Sequence, residues 1–190
     1  MSARPASLPV PRVLADDSGA LAGVRRADWR FLLPDPDLGR VAYLAPHDAG
    51  LTTALTLVSA GLDLVETPIG NASHDAVVVT GGRPGRVGGA RALLRRGGWL
   101  YAEVPGPRAR AWTRALRKAG FAEVAAHWLW PDARGCREIV PLEPQALRHA
   151  LGRRDPGARL SIRARAAGLL VTAGVLQLAM RRAAVIGRWP

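Results

Sequence analysis

The sequence has little of what marks a disulfide-stapled, metal-clamped or membrane-spanning protein. Its single cysteine, Cys136, excludes an intramolecular disulfide and any cysteine-rich metal framework. The four histidines, His47, His74, His127 and His149, are too scattered for a recognisable metal-ligand spacing. No run reaches the roughly 18 apolar residues of a spanning helix, and the first residues lack the apolar core of a signal peptide. These absences fit a cytoplasmic protein. There is no Gly-x-Ser-x-Gly elbow, Walker loop or cysteine–histidine pair. Lysine is nearly missing: Lys118 is the one lysine among 27 basic residues.

What is present is a chain of 190 residues, 48% of them hydrophobic, enough to bury one substantial core. The formal charge of +12 is carried by arginine. With so much Ala and Gly, that bias reads first as codon economy in a GC-rich genome. A dedicated nucleic-acid binder combines a clustered basic face with exposed aromatics or a known module; neither is found, so nucleic acid is not an expected partner. Residues 1–27 read as a loose Pro-, Ala- and Ser-rich arm, and residues 28–190 as a single domain.

The pattern becomes regular after the Pro34–Asp37 turn. Arg40–Ala45 reads as a buried strand, Leu51–Ala60 as a helix stopped by Gly61, Leu62–Glu66 as a strand, and Asp75–Thr80 as the next. Val87–Arg96 reads as a helix ended by Gly97-Gly98, followed by the strand Trp99–Val104. Pro107–Gly120 reads as a helix with Ala111, Trp112, Ala115, Leu116 and Ala119 on one face. Val124–Trp130 and Arg137–Leu142 read as a hairpin turning at Asp132–Gly135. Helical segments over about 144–153 and 159–180 follow, then a strand at 183–189. The apolar segment 166–180 reads as a core helix, with a membrane-surface helix as the alternative that would make the protein peripheral. Strands alternating with helices imply a mainly parallel sheet covered on both faces.

From Asp75 to Trp130 the order of segments resembles class I S-adenosylmethionine-dependent methyltransferases. HDAVVVT, the turn LLRRGGWLYAEVPG, the step KAGF into EVAAHW, and the terminal strand AAVIGRWP each have a counterpart there. The resemblance implies a Rossmann-like three-layer α/β sandwich of class I methyltransferase type. It implies S-adenosylmethionine as cofactor, lying over Ala45, Pro46, His47 and Gly50, with Glu66 on the ribose hydroxyls and Thr80, Gly81 and Gly82 beside it. It also implies a small-molecule substrate, here placed in bacterial specialised or cell-envelope metabolism. Two departures stand out. VAYLAPHDAG keeps only Gly50 of a Gly-rich loop, and Pro46 removes a backbone donor. Eight residues between Glu66 and Asp75 cannot hold the helix and strand expected there, so the fold is trimmed around the second and third strands. A non-catalytic relative acting through a protein partner, or the same fold reused for a reaction such as cyclisation, are the alternatives.

Candidate catalytic groups are His47, Asp48 and Glu103. His47 and Asp48 follow the first strand, where open α/β sheets bind ligands. They read either as a base with its orienting carboxylate or as a loop histidine beside a helix N-cap, the cap being preferred. Glu66 reads equally as a ribose acceptor and as a solvated strand-end carboxylate. Glu103 shares a face with Tyr101; the first reaches toward the cleft and the second packs in the core. Trp128 and Trp130 lie opposite His127 and read as core or interface. No partner is evident for His74 or His149.

Overall fold

The computed structural model describes residues 24–154 and 180–190. A 3₁₀ helix, Arg25–Leu32, leads into β1 (Arg40–Leu44), α1 (Ala49–Val58), β2 (Gly61–Val65) and β3 (His74–Thr80). Then come α2 (Val87–Leu93), β4 (Leu94–Pro105), α3 (Ala109–Lys118), the hairpin β5 (Ala122–Trp130) and β6 (Glu138–Pro141), α4 (Pro144–Arg154) and β7 (Arg182–Arg188). The strands form one seven-stranded sheet in the order β2-β1-β3-β4-β7-β5-β6. The β1–β2, β1–β3 and β3–β4 pairs are parallel, and β7 lies antiparallel between β4 and β5.

The central strands β1, β3, β4 and β7 are apolar runs because both of their faces are covered. One face of the sheet packs on α2 and α3 through Ala42, Val77, Val79, Leu100, Ala102 and Trp112. The other packs on the 3₁₀ helix and α1 through Trp29, Val41, Tyr43, Leu51, Val78 and Tyr101. This is the expected three-layer α/β sandwich. It is trimmed as expected too: among the described residues no strand lies between Val65 and His74, and β2 forms one edge of the sheet. Strand number reaches seven because β6 adds a hairpin at the far edge.

Several local expectations are corrected. α2 ends at Leu93, not Arg96, because Leu94 pairs with His74 and so already belongs to β4. The register then shifts before Ala76 pairs with Trp99, and Gly97, at φ +80°, lies in that irregular stretch and does not end the helix. On α3, Trp112 and Leu116 are buried, but Ala111 is exposed. Packed structure begins before Asp28, since Arg26 and Ala27 are buried. Most of the 159–180 helical segment lies outside the described residues, apart from Met180, which packs with Val140, Leu147 and Ala150. No described helix is long and apolar enough to cross a membrane.

Candidate functional site

A cleft of about 400 Å³ opens over the C-terminal ends of β1, β3 and β4. Each of these strands delivers a polar group to it as the apolar run ends: His47 and Asp48, with Pro46, after β1, Thr80 as the last residue of β3 with Gly81 following, and Glu103 from β4. Of the residues singled out in the sequence, these six line the cleft together. Ala45, Gly50, Glu66 and Gly82 do not line it.

The β1–α1 loop is held from below by a one-way hydrogen-bond chain. The Asp48 N–H donates to the Tyr43 hydroxyl oxygen at 2.8 Å. The Tyr43 and Thr80 hydroxyls are 3.0 Å apart, and the Thr80 hydroxyl donates to the Pro46 carbonyl at 2.7 Å. Thr80 has a single proton, so Tyr43 is the donor between the two. Burial pushes the Tyr43 hydroxyl above its ordinary pKa, which keeps that proton in place. The Ala45 N–H donates to the Val65 carbonyl at 2.9 Å, and the Ala45 carbonyl accepts from the Arg86 guanidinium.

Asp48 is the N-cap of α1, accepting from the Leu51 amide at 3.0 Å. Its carboxylate also meets Arg26 at 3.4 Å and Arg134 at 3.0 Å. Burial raises its pKa, but the Leu51 amide, Arg134 and Arg26 together hold it below the usual carboxylate range. No contact joins Asp48 to the imidazole of His47, so the two do not form a base–carboxylate pair. His47 instead donates from Nε2 to the Tyr43 carbonyl at 2.9 Å and turns Nδ1 toward Glu66, 3.6 Å away. Glu66 is otherwise open, its side chain 79% exposed.

Glu103 sits where β4 leaves the core, two positions past Tyr101, which stacks on Trp29 at 4.0 Å. Its carboxylate accepts from Arg26 at 2.8 Å, and both residues are buried. Beside it, Gly81 at φ +65° donates its N–H to the Glu103 carbonyl at 2.7 Å. That backbone conformation favours glycine; a Cβ added there would meet nothing within 4 Å. The arginines of the cleft, Arg26, Arg134, Arg181 and Arg182, carry no sequence signal as a group. Arg26 stands in a stretch whose composition reads as a loose arm, and the others belong to a turn and a strand start. A buried arginine has no periodicity to reveal it.

Two buried histidines lie outside the cleft, and His74 departs from the expected lack of a partner. His74 is fully buried and has partners: Nε2 lies 2.8 Å from Asp63 Oδ2, and Nδ1 lies 3.2 Å from the Leu93 carbonyl. Asp63 is shared with Arg40 at 2.8 Å. This network ties edge strand β2 to β3 and to the end of α2, away from the cleft. His127 is buried, and its Nδ1 has no hydrogen-bond partner.

The strand order, a parallel half β2-β1-β3-β4 followed by the last strand inserted antiparallel between β4 and β5, makes this a class I methyltransferase-like fold. Solved structures of that class are similar to it at low identity. A methyltransferase from Archaeoglobus fulgidus is 10% identical with a TM-score of 0.49, over 88% of this chain and 94% of that one. A Geobacter sulfurreducens methyltransferase in complex with S-adenosylhomocysteine is 9% identical with a TM-score of 0.39, over 91% of both chains. The Haemonchus contortus phosphoethanolamine N-methyltransferase 2 is 12% identical with a TM-score of 0.43; the match covers 94% of this chain and 59% of that one. No family model matches the sequence, and no curated protein matches it.

Proposed function

We propose that the cleft binds S-adenosylmethionine and that the protein transfers a methyl group to a small molecule. The observation that carries this reading is Glu66: a carboxylate at the end of β2, beside the cleft, exposed and, among the described residues, facing His47 alone at 3.6 Å. A carboxylate so placed can accept from both hydroxyls of a ribose. The rest of the donor set suits the other end of such a ligand. Arg26 and Arg134 offer donors to a carboxylate, and Asp48 and Glu103 offer acceptors to an ammonium. The open space at Gly81 leaves room between them.

The group would supply an electrophilic methyl when bound. The work left to this chain is to bind, orient and keep water out, because methyl transfer needs mainly proximity and in-line alignment. Glu66 fixes the ribose end, the Arg26–Glu103 pair forms the floor, and His47, held by the Tyr43 carbonyl, stands at the edge nearest Glu66.

The β1–α1 loop favours a second reading, a non-catalytic relative that serves a protein partner. Pro46 has no N–H, and the N–H groups of Ala45 and Asp48 are already held by Val65 and Tyr43. That leaves the loop few donors for a ligand. Calorimetry of the full chain with S-adenosylmethionine and S-adenosylhomocysteine separates the two. Binding is expected, and Glu66→Ala should weaken it by roughly tenfold or more, the scale of a lost charged hydrogen bond. No binding at millimolar ligand sinks the methyltransferase reading, and an unchanged affinity in Glu66→Ala removes Glu66 from the site.

A further inference from the structure

We infer that the cleft takes an anionic ligand, a phosphate- or carboxylate-bearing molecule held at its mouth by Arg134, Arg181 and Arg182. As the identity of the methyl acceptor this rests on the proposed function; as an anion site it stands alone. The inference comes from sorting the charges that line the cleft. There are four arginines, Arg26, Arg134, Arg181 and Arg182, and three carboxylates, Asp48, Glu103 and Asp132.

All three carboxylates already hold donors. Glu103 is paired with Arg26 at 2.8 Å. Asp48 caps α1 and lies between Arg26 and Arg134. Asp132 is turned into its own loop, accepting from the Arg134 and Gly135 amides at 2.9 Å each. The Gly135 amide does most to keep Asp132 ionised; the charges of Arg181 and Arg26 add less.

The cations are less well matched. Among the described residues the side chains of Arg181 and Arg182 make no hydrogen bond or ion pair, and Arg181 acts on Asp132 only through its charge. Arg134 reaches Asp48 from a side chain that is 82% exposed, so it is free to turn toward a ligand. Deeper in, Arg26 is buried and its Nε–H has no acceptor. A concave site with surplus guanidinium groups concentrates anions, and the planar fork of arginine matches phosphate and carboxylate oxygens in pairs. A ligand with no anionic group at the mouth would leave these arginines repelling one another.

The test is calorimetric titration of the full chain with inorganic pyrophosphate and, separately, with malonate, alongside S-adenosylhomocysteine. One of the two anions should bind at one site per chain, which also distinguishes phosphate from carboxylate recognition. Arg181→Gln/Arg182→Gln should weaken that binding by about tenfold or more. Arg110→Gln/Arg114→Gln, on α3 and outside the cleft, should leave it unchanged. If the double cleft variant fails to fold, the exposed Arg181→Gln alone carries the comparison. Binding of neither anion overturns the inference, as does equal loss in both variants, which would mark the charge as nonspecific. S-adenosylhomocysteine binding without anion binding overturns this inference and leaves the proposed function; anion binding without S-adenosylhomocysteine does the reverse.

Discussion

Arg26 and Glu103, 77 positions apart in the chain, meet in a 2.8 Å ion pair with both side chains less than 10% exposed. This contact fastens the 3₁₀ helix across the C-terminal end of β4 and makes the floor of the cleft from two distant segments. Burial works against the Arg26 charge, but the Coulombic pull of Glu103, its hydrogen bond and Asp48 outweigh it and raise the arginine's pKa.

Breaking this pair from one side should be severe. Arg26→Ala leaves Glu103 as an uncompensated buried charge, at a cost of about 3–5 kcal/mol, and Glu103→Ala leaves the buried Arg26 with Asp48 at 3.4 Å as its remaining counter-charge. The double variant Arg26→Met/Glu103→Leu, which keeps volume and removes both charges, should lose less than either single change. Urea unfolding of the three variants measures this. Additive losses would show that the two groups are not coupled.

The His74–Asp63 contact should matter more than its place near the sheet edge suggests. Asp63→Asn removes the carboxylate facing His74 Nε2 and should destabilise the fold by about 1–3 kcal/mol. Arg40→Gln, on an exposed partner of the same carboxylate, should cost less than about 1 kcal/mol. The hydrogen bond from His74, then that from Arg40, holds Asp63 below its ordinary pKa. Its contribution is therefore fully present above the unfolded carboxylate value of about 4 and fades as pH falls through the lower folded value. Acid denaturation should show Asp63→Asn losing less stability than the native chain over that range. Parallel curves would refute the linkage.

His127 sets a second pH window by the opposite chemistry. Desolvation lowers its pKa from 6.5 to about 4, so the folded protein keeps it neutral where an unfolded chain would protonate it. Between those values the unfolded state binds more protons, so stability should fall as pH drops from 6.5 toward 4, by on the order of a few kcal/mol. His127→Phe should flatten that part of the curve. An imidazole titrating near 6.5 by NMR would contradict the assignment.

The sheet is largely legible in the sequence because strands covered on both sides are short apolar runs. VAYL, AVVV, WLYA and AAVI declare themselves without knowledge of their neighbours. What stays hidden depends on partners far away in the chain. Gly97-Gly98 is the strongest local stop signal near α2, yet the helix ends at Leu93 because pairing with His74 captures Leu94. The partners of His74 come from β2 and from the end of α2, so its position before an apolar run says nothing about them. In the cleft, the ends of β1, β3 and β4 could be foreseen from topology, since ligands of open α/β sheets lie there. Arg26 could not, because its burial follows from Trp29 stacking on Tyr101 and carrying the 3₁₀ helix with it.

The placement of β7 bears on how this molecule can assemble. The parallel half, β2-β1-β3-β4, and the hairpin β5-β6 touch within the sheet only through β7, which pairs with both. Until residues 182–188 arrive, β4 and β5 each present an unpaired interior edge, the kind of surface that invites association with other chains. Closing the sheet joins segments far apart in sequence, which slows folding. A chain cut before Arg182 would therefore do more than lose a strand: it would leave two open edges, those of β4 and β5, at the centre of the sheet.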